Sequence, residues 1–296
     1  MIKLRNIWEK NWPEIHAGMT GGLPGFIFSA NPALLGNNVP VFCYHLVEAE
    51  RFKGDLVFLR HNGYTTLGAD DLLDHITGKT PAPENSIVLT FDDGSRNLYD
   101  IAYPLLQEFE MHAVVFIAPG LHPDDKDEGL PTRPLDWGTI REMQDSGCFD
   151  FQSHTLEHRY IPRWPEWIEL AGADQQVIKQ RLVGPLPMEE DLTRAKLMIQ
   201  KKLGKPVKHL AFPKFFGTDN AILMGKHIGY EGFWWGSLPG RPGNTSESDP
   251  AHIVRLEGQF IRRLPGDDRE TLRTVLGRRY LGSLQRYTGH RHGEAA

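Results

Sequence analysis

The chain has 296 residues, a formal net charge of −5 at pH 7 and 24% charged residues. These totals fit one large or two ordinary globular domains and argue against extensive disorder and against nonspecific nucleic-acid binding, which needs clustered cations to neutralise phosphates. Cys43 and Cys148 are the only cysteines, against 13 histidines, which argues against a disulfide scaffold and a cysteine-based zinc site and turns attention to histidine, the commonest metal ligand.

In chain order, residues 1–38 are rich in Gly, Pro and Asn and read as an irregular lead-in to a domain over 39–296. The most apolar early stretch, 23–30, is too short to span a bilayer, carries Pro24 and Gly25, and follows Glu9, Glu14 and His16, unlike a signal peptide. A cytoplasmic protein is therefore expected. Residues 39–47 (VPVFCYHLV), 86–91 (SIVLTF), 113–117 (AVVFI), 148–152 and 209–212 read as strands, most of them continuous apolar runs of the type buried on both faces. Residues 67–76, 97–109, 138–145 and 192–203 read as helices, the last closed by Gly204. This alternation argues an α/β fold around a parallel sheet. Residues 159–190 hold Trp164, Trp167 and four prolines and read as an insertion on the rim. Residues 262–291 hold eight arginines against three acids, and Leu272, Val275, Leu276, Tyr280 and Leu284 form an apolar helical stripe. Such a basic C-terminal helix either docks on the core with a solvated face or touches an anionic membrane or substrate.

Two constellations carry chemistry. Thr90-Phe91-Asp92-Asp93-Gly94 puts adjacent carboxylates at the end of a buried strand, where like charges raise one another's pKa unless a cation offsets them. A helix N-cap accounts for one such Asp, not for two. Ser153-His154-Thr155-Leu156-Glu157-His158 follows a short strand. Histidines four apart share one face if the segment coils helically, and can then bind one metal ion. The spacing is weak by itself, but the C-termini of parallel strands converge on one edge of a sheet. One aspartate with both histidines makes a ligand set of two imidazoles and one carboxylate with open positions.

TFDDG followed by SHTxxH resembles the polysaccharide deacetylase family, metal-dependent carbohydrate esterases that remove N-acetyl groups from amino sugars. The likeness runs from about residue 39 to about 257. Val41-Phe42-Cys43-Tyr44-His45 is similar to the early Tyr-His strand of the branch acting on poly-N-acetylglucosamine, and residues 59–67 to that branch's LxxxGYxxls segment. Leu135-Asp136-Trp137, Ala211-Phe212-Pro213 and residues 252–256 resemble its later segments in the same order. The resemblance implies a distorted, incomplete (β/α) barrel of about seven parallel strands, with the site at the strand C-termini. It implies Asp93, His154 and His158 as ligands of a divalent metal, usually zinc, with nickel, cobalt or iron as alternatives. Asp92 is then the general base and the loop from Pro213 to Gly217 holds the oxyanion donor. His45 is the candidate acid for the leaving amine, or else a buried histidine satisfied by a hydrogen bond.

The third motif departs from the family. Phe212-Pro213-Lys214-Phe215-Phe216-Gly217 has one more residue between Pro and Gly than YPyG, which leaves the donor open among Lys214, Phe215 and Phe216. Lys214 contacts substrate charge or is solvated. Arg255 is a candidate for the oxyanion or substrate side, or pairs with Asp92 and holds it ionised. Aromatic rings stack on sugar faces, and Phe215, Phe216, Trp234, Trp235, Trp164 and Trp167 are available for this. The expected activity is metal-dependent N-deacetylation of an amino sugar in a saccharide or glycoconjugate, and the missing leader points to an intracellular, lipid-linked or nucleotide-linked substrate. A deformylase or O-deacetylase with the same machinery is the alternative. A catalytically silent carbohydrate-binding relative fits the altered loop, but has no need of all four of Asp92, Asp93, His154 and His158.

Overall fold

The structure is a computed structural model and describes residues 12, 14–125, 130–159, 161 and 187–281. It contains strands β1 (Val41–Tyr44), β2 (Thr65–Thr66), β3 (Ser86–Asp92), β4 (Ala113–Ile117), β5 (Phe149–Ser153), β6 (His209–Ala211), β7 (Gly232–Trp234) and β8 (Leu256–Glu257). Seven lie in the order β7-β6-β5-β4-β3-β1-β8, each neighbouring pair parallel, and β2 joins the start of β3. Helices Ala49–His61, Ala69–Ile76, Tyr103–Phe109, Trp137–Asp145, Met188–Leu203 and Asp219–Ile228 alternate with strands β1 to β7. Parallel strands need such crossovers, and the result is a distorted, incomplete (β/α) barrel.

Strand parity decides what faces the barrel interior. Every residue of β3 is buried. Ile87, Leu89 and Phe91 point outward into the large core beneath the helices. Val88 points inward, to a smaller core with Val41, Val114, Phe116, Ala211, Trp234 and Ile253. Thr90 and Asp92 continue that inward row to the strand's C-terminal end.

A short segment spans the seam between the edge strands. Ile253 bridges to Trp234, its N–H donating to the Phe233 carbonyl at 2.9 Å while the Trp235 N–H donates to the Ile253 carbonyl at 2.8 Å. A few residues on, β8 pairs with β1. Asn244, 1% exposed, knits the lower part of the seam. Its side chain accepts from the Val254 N–H at 2.9 Å and donates to the Val254 and Val39 carbonyls at 2.9 and 3.3 Å.

Several sequence expectations are corrected. The lead-in is not wholly irregular: residues 14–19 and Gly25–Phe28 are helical, and Phe26 and Ile27 are buried in the outer core. The helix expected over 97–109 opens as a wider π-type stretch, Leu98–Ala102, before the α-helix. At the C-terminus Val275 is buried, and Leu272 and Leu276 pack on the core. The basic face there is not simply solvated. Arg279 is buried and pairs with Glu257 at 2.9 Å and Glu14 at 3.3 Å, and Arg278 pairs with Glu270. Most of the expected 159–190 insertion, with Trp164 and Trp167, and the C-terminal end, with Leu284, lie outside the described residues.

Candidate metal and catalytic site

The site forms where β3 and β5 end on either side of β4. The Asp93 N–H donates to the Phe116 carbonyl at 3.0 Å, and the His154 N–H to the Ile117 carbonyl at 2.8 Å. The last carbonyls of β4 thus set the positions of both Asp93 and His154. Asp93 then turns with φ +72° and Gly94 with φ +61°. A Cβ on Gly94 would lie 2.7 Å from Ile117 Cγ2 and 3.0 Å from His122 Cε1, so the turn requires glycine for both conformation and space.

Asp93 Oδ1 lies 3.4 Å from His158 Nε2 and 3.8 Å from His154 Nε2. The three ligand atoms fall within 4.8 Å of one another, so these residues can hold a metal ion. Bonds of about 2 Å in tetrahedral array put ligand atoms roughly 3.3 Å apart, and one carboxylate with two imidazoles is a fitting donor set for a divalent ion. His154 is 1% exposed. Its Nδ1–H donates to the Ala211 carbonyl at 2.9 Å, which fixes the tautomer and leaves the Nε2 lone pair toward Asp93. Burial lowers its pKa, against the pull of Asp92 and Asp93, so the ring stays neutral, as a metal ligand must be.

The two histidines do not share a helix face. Residues 154–159 form a bent, non-helical loop in which Thr155 (φ +65°) and His158 (φ +54°) are left-handed. The backbone folds back on itself, and side-chain bonds hold it there. Thr155 Oγ1 accepts from the Arg159 N–H at 2.9 Å, and buried Asp191 accepts from the Leu156 N–H at 3.0 Å. Five of the eight non-glycine residues with positive φ are Asp93, Thr155, His158, Lys214 and Phe215, so backbone strain among the described residues concentrates around this site.

Asp92 points into the barrel beside this candidate ligand set, Oδ2 lying 3.8 Å from His154 Nε2. Arg255 meets it from the seam segment, Nη1 donating to Oδ1 at 2.7 Å and Nη2 to Oδ2 at 3.0 Å. Arg255 Nε donates to the Trp235 carbonyl at 3.0 Å, and its guanidinium lies over the rings of Phe116 and Phe215. Burial alone would raise the Asp92 pKa, but Arg255, with His154 and His45 beyond it, holds the carboxyl well below the usual carboxylate range. Arg255 is itself buried and turned to Asp92, so of its two expected places the pairing with Asp92 is the one found and the place on the oxyanion or substrate side is corrected.

Trp234 is also corrected. It is fully buried in the barrel interior against Phe116, its Nε1–H donating to His209 Nδ1 at 3.2 Å. Parity within Gly232–Trp234 turns it into the barrel interior, where it is fully buried. Trp235 is buried as well, donating to the Ala251 carbonyl at 2.8 Å. In the third-motif loop Lys214 (φ +55°) and Phe215 (φ +68°) are consecutive left-handed residues that accommodate the extra position. The Phe215 and Phe216 amides donate to the Phe212 and Pro213 carbonyls at 3.0 and 3.4 Å. Lys214 is exposed, and Phe215 and Phe216 are half-buried. His45 is exposed just beyond β1, its ring edge-on to Phe215 at 5.9 Å between centroids.

Sequence reasoning missed two side chains beside the site. His122 is 7% exposed and stands against Gly94. Its Nδ1–H donates to the Leu135 carbonyl at 2.6 Å, and Nε2 has no hydrogen-bond partner among the described residues. Asn97, 8% exposed, reaches the loop that carries His45. The partners of both lie far along the chain, so no local motif marks them.

A family-wide sequence profile described as polysaccharide deacetylase matches residues 79–233, and the chain belongs to that family. It is 30% identical over 123 residues to a poly-beta-1,6-N-acetyl-D-glucosamine N-deacetylase of Escherichia coli K12, covering 38% of this chain and 18% of that one. It is 21% identical over 183 residues to the protein of that name from Staphylococcus aureus strain MRSA252, covering 62% and 58%. The chain thus spans less than two thirds of these curated relatives. The fold is similar to that of IcaB from Ammonifex degensii, with a TM-score of 0.60 and 24% identity over 75% of this chain and 92% of that one. No helix among the described residues is long and apolar enough to cross a membrane.

Proposed function

We propose that the chain is a metal-dependent hydrolase that removes the N-acetyl group from an amino sugar in a saccharide or glycoconjugate. The observation that carries this reading is a carboxylate held ionised 3.8 Å from a ligand nitrogen of a complete Asp-His-His set. The named activity of the partial relatives supports it. Asp93, His154 and His158 would hold the ion, for which the two imidazoles and one carboxylate favour Zn2+ over harder cations. A divalent ion there supplies Lewis acidity and lowers the pKa of water.

The chain's own residues do the rest. Asp92 accepts a proton from the attacking water, and Arg255 keeps it in its basic form and aims it. Expulsion of the amine needs a proton, and His45 is the acid for that step. It is exposed toward the entering substrate and close enough to Asp92 for their charges to interact. Phe215, Phe216 and Lys214 line the approach as sugar contacts.

The test is purified protein loaded with zinc and incubated with N-acetylglucosamine oligosaccharides, with acetate and free amine quantified. Turnover should vanish with a chelator and fall by about 10²–10⁴-fold in Asp92→Asn. A protein that binds no metal, and whose Asp92→Asn variant turns over normally, sinks the proposal. The Phe215 and Phe216 amides, already committed within their loop, favour a second reading, a silent sugar-binding relative. Oligosaccharide binding without acetate release in saturating zinc would select it.

A further inference from the structure

Asn97 lies one turn beyond the Asp92-Asp93-Gly94 corner, at the start of the Leu98–Ala102 stretch. Its side-chain amide bonds the backbone N–H and C=O of one residue of the opposite loop. Oδ1 accepts from the Val47 N–H at 2.8 Å, and Nδ2 donates to the Val47 carbonyl at 2.9 Å. This pairing copies a β-ladder rung between segments 50 residues apart. Asn97's own backbone is also fixed, its N–H donating to the Pro131 carbonyl at 2.9 Å next to the Arg96 N–H to Arg133 carbonyl bond at 2.7 Å. Val47 stands two residues after His45, in a loop outside the sheet, since β1 ends at Tyr44.

We infer that Asn97 is the positioning residue for His45, fixing the proton donor's loop to the corner that carries Asp92 and Asp93. The inference rests on the reading of His45 as the acid. A loop held only by its two ends leaves an exposed imidazole many orientations. Two short bonds to the backbone N–H and C=O of one residue, made by a buried side chain rooted at the metal corner, tie the acid to the base and the ligand in a single frame. Asn suits this task because its amide offers a donor and an acceptor side by side, matching the Val47 N–H and C=O. The isosteric Asp keeps the acceptor and loses the donor.

The experiment compares two reactions of the zinc-loaded full chain. N-acetylglucosamine oligosaccharides have an amine leaving group that needs a proton. 4-Nitrophenyl acetate has a phenolate leaving group that departs without one. His45→Ala should depress kcat on the oligosaccharide by about 100-fold or more and change ester turnover little. Asn97→Ala should show the same split, on the order of 10-fold to 100-fold in kcat for the amide with KM nearly unchanged. Asn97→Asp should show a smaller split and serves where Asn97→Ala folds poorly. Zinc content of each variant should equal that of the wild type. Equal losses on both substrates in the Asn97 variants, or no loss at all, overturn the inference while leaving His45 as the acid. A His45→Ala variant without the split removes the acid assignment, and the role of Asn97 with it.

Discussion

Arg255 and Asp92 face one another inside the barrel through two parallel hydrogen bonds, Nη1 to Oδ1 at 2.7 Å and Nη2 to Oδ2 at 3.0 Å. Both side chains are almost wholly buried. A buried pair of this kind adds modest stability, because desolvation offsets much of the attraction, yet removing one partner strands a charge. Its value here is chemical: it keeps a carboxylate charged where burial would otherwise neutralise it.

Replacing Arg255 should therefore damage the protein twice. Arg255→Met is expected to cost roughly 3–5 kcal/mol of unfolding free energy and to move the acid limb of kcat/KM to higher pH. The sign follows from the depressed carboxyl pKa. The pair's stabilisation is present above the ordinary aspartate value and is lost only as pH falls below it. Arg255→Lys should recover less than half of the activity, since an ammonium cannot make the two-point contact. Urea titrations and pH–rate profiles measure both effects. An unshifted acid limb in Arg255→Met counts against Asp92 as the base.

Gly94→Ala tests the corner that presents Asp93. The left-handed conformation costs an L-residue roughly 1–2 kcal/mol, and the methyl would meet Ile117 and His122. The expected result is at least a tenfold loss of zinc affinity by calorimetry, with the far-ultraviolet spectrum retained. Wild-type zinc affinity in the variant would mean that the corner does not govern the ligand.

His122 provides a pH dependence separate from the ligands. Burial pushes its pKa down to about 4, whereas the unfolded imidazole titrates near about 6.5. Between these values the unfolded chain binds the extra proton, so stability is full above about pH 6.5 and declines as pH falls toward 4. The contribution is about 3 kcal/mol. His154 acts in the same direction. Metal-free His122→Gln should show a shallower fall of unfolding free energy between pH 6.5 and 4.5 than the wild type. Identical slopes would place the titration elsewhere.

Trp234→Phe should lower stability by about 1–3 kcal/mol through the lost bond to His209 and lost volume, and leave KM for oligosaccharide unchanged. A higher KM at unchanged melting temperature would return Trp234 to the substrate path.

The division between what is legible in the sequence and what is not has a physical basis. Asp92, Asp93, His154 and His158 are legible because each pair sits within a few residues at a strand end, where a parallel sheet gathers chemistry. The strand Ala113–Ile117 coincides with its apolar run because both faces are buried. How His154 and His158 come together is not legible, because histidine spacing does not reveal the left-handed turn at Thr155. Trp234 misleads because proximity to the motif loop in sequence says nothing of strand parity. Asn97 and His122 are invisible, since their partners Val47 and Leu135 are 50 and 13 residues away. No periodicity encodes such pairings.

The seam has a temporal consequence. Asp92 is synthesised in the first third of the chain and Arg255 near its end, on the segment that bridges β7 to β1. A nascent or clipped polypeptide ending before that segment lacks the guanidinium that chiefly offsets the burial of Asp92, and burial without it favours the protonated carboxyl. The ion pair that holds Asp92 charged therefore forms only once the seam segment has been made and docked.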